Sequence, residues 1–297
     1  MRSVLFVVIL AAFVVRVATA QEVSLVPRFE EDQVDRYRLD ATLRLEQTGE
    51  FAAPARTMKM GVNLRLRTPS VNREGGAIIS CVIEEAEIEL DEEGDQGRHE
   101  AFVWPREEDE GDVDESSIVR AWKPLASSVI RFHVDASGHV RDVELAIEPE
   151  GEARALLGLM SPNVLGTTVA PIWGVDTSGK ARRTGDTWED STRMVVSGQR
   201  VVQRATAYTL DAIEGDVARV KASIEYTAPL VRTESVVEAS VRGTGSADVE
   251  WMATRGILAS WNETSEITLE TSLGEGGPGL TTHLVRTFKL TRLSDDS

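Results

Sequence analysis

The strongest constraint on the fold is alternation. In "YRLDATLRL", residues 37–45, Tyr37, Leu39, Ala41, Leu43 and Leu45 occupy every second position, with polar residues between them. "MKMGVNLRL", residues 58–66, repeats the pattern with Met58, Met60, Val62, Leu64 and Leu66. A period of two places one set of side chains on one face of a strand, so these segments predict antiparallel strands with one buried and one wet face. "GGAIISCVIEEAEIEL" begins apolar on both faces and then sets Ala86, Ile88 and Leu90 against Glu85, Glu87 and Glu89. It predicts a strand that leaves the core and becomes half exposed.

Turn chemistry punctuates these runs. "VIRFHV" and "HVRDVELAI" flank "DASG", residues 135–138, and the second half carries hairpin turns at "EGD", 214–216, and "TRG", 254–256. His133 and His139 bracket the first of these turns and raise the question of a metal site. Superposing "FHVDASGHVRDV" on "EWMATRGILASW" aligns Gly138 with Gly256, Val140 with Leu258 and Val143 with Trp261, while the histidines meet Trp251 and Ile257. A duplicated hairpin explains both segments, whereas a zinc site on His133 and His139, with Asp135, Asp142, His99 or His283 as a third ligand, explains only one. The expected fold is therefore mainly β: two related antiparallel β-meander units, forming a curved sheet, half-barrel or sandwich, with one linking helix. The units are residues 21–147, with an acidic insertion at 91–117, and residues 184–297. Residues 148–183 supply the linker and the helix, which "PEGEARALLGLM" predicts from Pro149 through Ala155, Leu156, Leu157, Leu159 and Met160.

The first twenty residues open with Arg2, run through an apolar core and end in "ATA", the pattern of a signal peptide cut after Ala20. Export to the periplasm or the extracellular space follows, and the mature chain is not expected to be an integral membrane protein. The formal charge of −17 becomes −19 without Arg2 and Arg16, which repels phosphate backbones and argues against a nucleic-acid partner. Cys81 is the single cysteine, so no internal disulfide can form and burial of apolar surface must supply the stability. Its apolar neighbours Ile79 and Ile83 point to a buried, inert thiol.

Candidate chemistry is sparse. Sixteen acids against Arg98 and Arg106 between residues 84 and 115 allow weak cation binding at Asp109, Asp112, Asp114 and Glu115, although the spacing lacks the glycine and the final glutamate of a calcium loop. "GEGGPG", 274–279, has the spacing of a dinucleotide fingerprint but no following helix. Trp104 and Trp173 lie in irregular segments and are candidates for a ligand surface, and the apolar face of the helix, Leu156, Leu157, Leu159 and Met160, is a candidate lining for an apolar cavity. No catalytic residue, resident cofactor or nucleophilic triad is indicated.

At "TGDTW", "YTLDAIEGDVARV" and "RGILASW" the chain resembles a family of secreted bacterial proteins of unknown function, β-rich and built with the same G-D-x-W turn and glycine-centred hairpins. The resemblance is strongest over the second half and implies fold and export only. The functional expectation is an exported, non-enzymatic binding or interaction protein of the cell envelope, whose partner is an unidentified protein or apolar ligand. The alternatives are a periplasmic carrier of lipid or lipoprotein and a carboxylate-dependent glycan hydrolase.

Overall fold

A computed structural model describes residues 21–50, 52–94, 97–105, 117–145, 168–196, 200–228, 237–273 and 279–294. The protein is mainly β and antiparallel. One sheet of twelve strands runs through both halves of the chain. Its first half holds β2 (Val34–Gly49), β3 (Arg56–Val71), β4 (Ala77–Glu92), β5 (His99–Trp104), β6 (Ile130–Val134) and β7 (Val140–Leu145). Its second half holds β9 (Thr187–Val196), β10 (Arg200–Glu214), β11 (Val217–Ala228), β12 (Val237–Met252), β13 (Ile257–Leu273) and β14 (Gly279–Arg292). The order is β7-β6-β4-β3-β2-β14-β13-β12-β11-β10-β9, with β5 paired to the far stretch of β4. The ends of this path do not pair, so the sheet stays open. A separate two-stranded ribbon joins β1 (Glu22–Ser24) to β8 (Ala181–Arg183).

The halves meet where the last strand returns to the first long one. β14 pairs with β2 from Leu280↔Gly49 to Arg292↔Tyr37, a seam as long as the hairpins on either side. On the apolar face this register sets Leu290 beside Leu39 and Phe288 beside Ala41, so the core is continuous across it. Strands of sixteen residues reach roughly 50 Å, far longer than the usual five or six, and such strands in an antiparallel sheet twist and curl strongly.

The apolar face is covered at one end of the strands by short segments. Val23 and Leu25 come from the N-terminal ribbon, Trp122 and Leu125 from helix α1 (Ser117–Ala126), and Val169, Ile172, Trp173 and Val175 from a segment containing a single 3-10 turn. Helix α1 contains Pro124, which gives up one helical hydrogen bond. The Pro124 carbonyl accepts the hydroxyls of Ser127 and Ser128 at 3.1 and 2.6 Å, closing the helix. The linking helix expected near 149–160 lies outside the described residues, as do residues 95–96 and 106–116 of the acidic insertion.

β4 alternates over its far stretch as expected, with Ala86 and Ile88 buried against exposed Glu85, Glu87 and Glu89, but it does so without leaving the core. Ile79, Cys81 and Ile83 are buried at odd positions, and Ala86 and Ile88 at even ones. The phase changes because Glu84 is an extra residue: Leu64 pairs with Ile83 and Asn63 with Glu85. A bulge there keeps the apolar set on one face along most of the strand, so β4 does not leave the core. Arg36 Nε donates to Glu84 Oε2 at 2.9 Å, tying down the displaced residue.

The two glycine-centred hairpins also differ from the proposed superposition. In both, the outgoing strand carries one extra residue three positions after the glycine, Arg141 in one and Ala259 in the other. On the incoming strands, however, Val134 corresponds to Trp251 and not to Met252, because the second turn is one residue longer. Gly138 has φ +90°, and a Cβ there would lie 2.0 Å from the Trp173 carbonyl oxygen. Gly256 has φ +61°, and its Cβ would lie 2.6 Å from the Arg28 nitrogen. Both turns press their glycine against another segment's backbone, so a side chain is excluded for space as well as for conformation.

Candidate functional site

The wet face of the sheet is not flat. Over the seam it forms an open groove of about 610 Å³, reaching from Glu87 and Glu89 on β4 to Ser246 and Asp248 on β12. Because these strands are separated by β3, β2, β14 and β13, only a curled sheet can bring them to one groove. The floor is laid by alternation: Asp40 and Thr42 from β2, Thr287 and Lys289 from β14, Asn262 and Thr264 from β13. Asp40, Glu87, Glu89 and Asp248 bring four carboxylates to it, and Arg38, Lys59 and Lys289 bring three cations.

One cation is held in place. Arg38 Nε donates to Asp40 Oδ1 at 3.0 Å and Nη1 to Asn63 Oδ1 at 3.2 Å, while Asn63 Nδ2 donates to Glu85 Oε2 at 2.6 Å. The guanidinium lies where Gly61 has no side chain, for a Cβ on Gly61 would sit 2.0 Å from Arg38 Nη2. A glycine within a strand weakens it, and here it makes room for an oriented donor on the groove wall. Lys59 lies 3.7 Å from Glu89.

A second polar arrangement sits on the opposite, apolar face. Glu263 on β13 has a side chain only 2% exposed, and its carboxylate accepts four donors. Tyr226 Oη donates to Oε1 at 2.9 Å, Trp261 Nε1 to Oε2 at 3.2 Å, Arg204 Nη2 to Oε2 at 3.1 Å, and Arg286 Nη2 to Oε1. Burial pushes the Glu263 carboxyl up, but the charges of Arg286 and Arg204 outweigh it and hold the group below the ordinary glutamate value. Burial opposes the charge on Arg204, yet Glu263 raises that guanidinium above its usual value, so the cluster is ionised. The tyrosines respond oppositely: burial raises Tyr226, and it pushes Tyr208 up to about 12. The sequence signal for this layer is a charge on the apolar phase of a strand, as in Trp261-x-Glu263-x-Ser265-x-Ile267 and Leu284-x-Arg286-x-Phe288, and hydropathy alternation alone did not single it out.

The candidate residues from the sequence fall as follows. Trp173 is buried, its ring tilted against Phe132 at a centroid distance of 5.3 Å. Trp104 ends β5, half-buried against the core and in register with Ala86. Leu156, Leu157, Leu159, Met160, Asp109, Asp112, Asp114 and Glu115 lie outside the described residues. In "TGDTW", Gly185 and Asp186 make the turn, the Gly185 nitrogen donating to the Leu210 carbonyl at 2.7 Å. Trp188 is buried, donates Nε1 to the Val175 carbonyl at 2.8 Å and stacks on Tyr208.

His133 and His139 have separate surroundings. His139 Nδ1 lies 2.9 Å from Ser137 Oγ at the turn, within a network in which Asp135 Oδ1 accepts the Ser137 and His139 nitrogens. His133 Nε2 lies 3.0 Å from Glu144 Oε1 across the β6–β7 pair, and its register partner is Asp142. His133, Asp142 and Glu144 each bring a ligand atom within 4.8 Å of the others, on the solvent side of the outermost hairpin. Two exposed carboxylates on the edge strand β7 beside a half-buried histidine on β6 need no ion to explain them.

Among the described residues no helix is long and apolar enough to cross a membrane. No protein-family model matches the sequence, and no curated protein matches it. Among solved structures, the translocator domain of the autotransporter NalP from Neisseria meningitidis aligns over 89% of this chain and 90% of its own at 7% identity, with a TM-score of 0.15, which is too low to carry an argument about fold or function.

Proposed function

We propose that the protein is an exported, non-enzymatic binding protein of the cell envelope that seats a polypeptide partner of mixed charge in the groove over the β2–β14 seam. The groove itself carries this reading: about 610 Å³ of wet surface lies within the size range of binding clefts and has an oriented Arg38 on its wall. Cations and carboxylates alternate over its floor, and hydroxyls and the Asn262 amide fill the gaps. Such a lining recognises a chain bearing both charges and backbone amides. Among the described residues no tryptophan or tyrosine lines the groove to stack on a sugar ring, which favours a peptide over a glycan.

The test is a display selection with mixed-charge peptides on the wild type, followed by titration on two variants. Thr264→Arg fills the groove, and Gly61→Ala displaces only the flexible end of Arg38. Peptides that bind the wild type and lose about tenfold or more in affinity on either variant support the reading, given the usual strength of charge-assisted bonds. Peptides indifferent to both variants, or none that bind, contradict it. One feature favours the glycan-hydrolase reading: Asp40, Glu87, Glu89 and Asp248 share one groove. Release of reducing ends from a glycan panel, abolished by Glu87→Gln, would replace the binding reading with that one.

A further inference from the structure

The buried cluster on the apolar face is one acceptor and one negative charge short. Glu263 is saturated, with two donors on each oxygen. Arg204 and Arg286 together bring two positive charges against its one negative charge. Their Nε atoms are buried and have no hydrogen-bond partner among the described residues. A third buried donor without a partner, Ser265 Oγ, lies two residues from Glu263 and in direct register with Arg286. Unpaired donors at this depth are costly, more so when charged, so a native protein does not leave three of them together without a reason.

A small cavity of about 20 Å³ opens beside the two guanidiniums, lined by Arg204, Glu263 and Arg286 with Thr168, Pro171, Trp261 and Phe288. That volume holds one water-sized atom. The unmatched Nε groups of Arg204 and Arg286 can only donate, and the local charge is positive, so an occupant that accepts and carries negative charge fits better than water. Beyond Arg286 the same face continues through half-buried apolar side chains: Leu43 pairs with Arg286, and Leu284 pairs with Ile267.

We infer that Arg204 and Arg286 form a buried anion site that takes one oxygen of a carboxylate, with the Ser265 hydroxyl beside Arg286 as its supporting neighbour. The carboxylate comes either from a free small anion or from the head of a fatty acid whose chain runs along the Leu43, Ile267 and Leu284 rows. This site is on the face opposite the groove, and its test does not depend on the groove's ligand.

The experiment is calorimetric titration of the full protein at constant ionic strength with sodium acetate and, separately, with sodium decanoate. Three proteins are compared: wild type, Arg286→Met, which leaves Arg204 and Glu263 as a balanced pair, and Ser265→Ala, which removes one small donor. Saturable binding to wild type that drops about tenfold or more in Arg286→Met and several-fold in Ser265→Ala is expected, from the strength of hydrogen bonds to a charged group. Decanoate at least tenfold tighter than acetate identifies an amphiphile head, and equal affinities identify a free anion. Absence of saturable binding of either anion to wild type, or binding unchanged in both variants, overturns the assignment and leaves the cavity to a water molecule.

Discussion

Replacing Glu263 by glutamine keeps the shape of the buried cluster and removes its only negative charge. The four donors that converge on the carboxylate include two guanidiniums, and the Arg204 and Glu263 side chains are 13% and 2% exposed. With glutamine in place, Arg204 and Arg286 face each other across a neutral amide that also presents two donors of its own. Breaking a buried pair by removing one partner costs about 3–5 kcal/mol, because the remaining charge is left dry. For a urea slope of about 3 kcal/mol/M, that lowers the unfolding midpoint by roughly 1–1.7 M. The combined variant Glu263→Leu, Arg204→Met, Arg286→Met removes all three charges and should return to or exceed wild-type stability, since apolar replacement of a buried ion network is often neutral or favourable. The sign with pH follows from the same geometry. The Glu263 carboxyl is held below its ordinary value of 4.5 in the folded protein, so its contribution is complete above that value and is lost as pH falls through the folded one. The gap between the urea midpoints of wild type and Glu263→Gln should be widest near pH 7 and narrow as pH falls below 4.5. A Glu263→Gln midpoint within about 1 kcal/mol of wild type at pH 7, or a combined variant as unstable as the single one, would refute the reasoning.

Two further outcomes are expected. Gly138→Ala should destabilise the protein by about 2 kcal/mol or more, since a Cβ 2.0 Å from the Trp173 carbonyl oxygen forces two backbones apart at a positive φ; a loss under about 0.5 kcal/mol in thermal unfolding would contradict that contact. Cys81 is 1% exposed and burial pushes its thiol up to about 12, so it should resist a thiol reagent at pH 8 until denaturant is added, and rapid labelling of the native protein would show the β4 core placement to be wrong.

Much of the fold was legible because alternation is a direct print of a strand's two faces. Tyr37, Leu39, Val62, Leu64 and Leu66 are buried as their phase predicts. Alternation does not record an extra residue, so the bulge at Glu84 read as a strand leaving the core. The same gap displaced the incoming arm of the second hairpin by one position, pairing Trp251 and not Met252 with Leu258. Helix α1 was missed because Pro124 breaks the usual helical signature, and its closing bonds come from the two serines that follow. The groove and the buried layer were illegible for another reason. Arg38, Thr287 and Asp248 are ordinary wet-face residues until curvature brings β4 towards β12, and Glu263 looks like one more acid until Arg204 and Arg286 arrive from strands 59 and 23 residues away.

All of this rests on β2 and β14 being neighbours, for the seam joins the halves, floors the groove and carries the core across. Thr42 and Thr287 are register partners on the groove side of that seam. Antiparallel partners lie about 4.5–5.5 Å apart at Cα, within the span of a disulfide. The double variant Thr42→Cys, Thr287→Cys should therefore close an intramolecular disulfide on mild oxidation, read as a 2 Da mass loss (the general mass of two hydrogens, about 2 Da) and a linked peptide pair after proteolysis. Free thiols at positions 42 and 287 in the oxidised protein, beyond the buried Cys81, or cross-links only between molecules, would contradict the single continuous sheet.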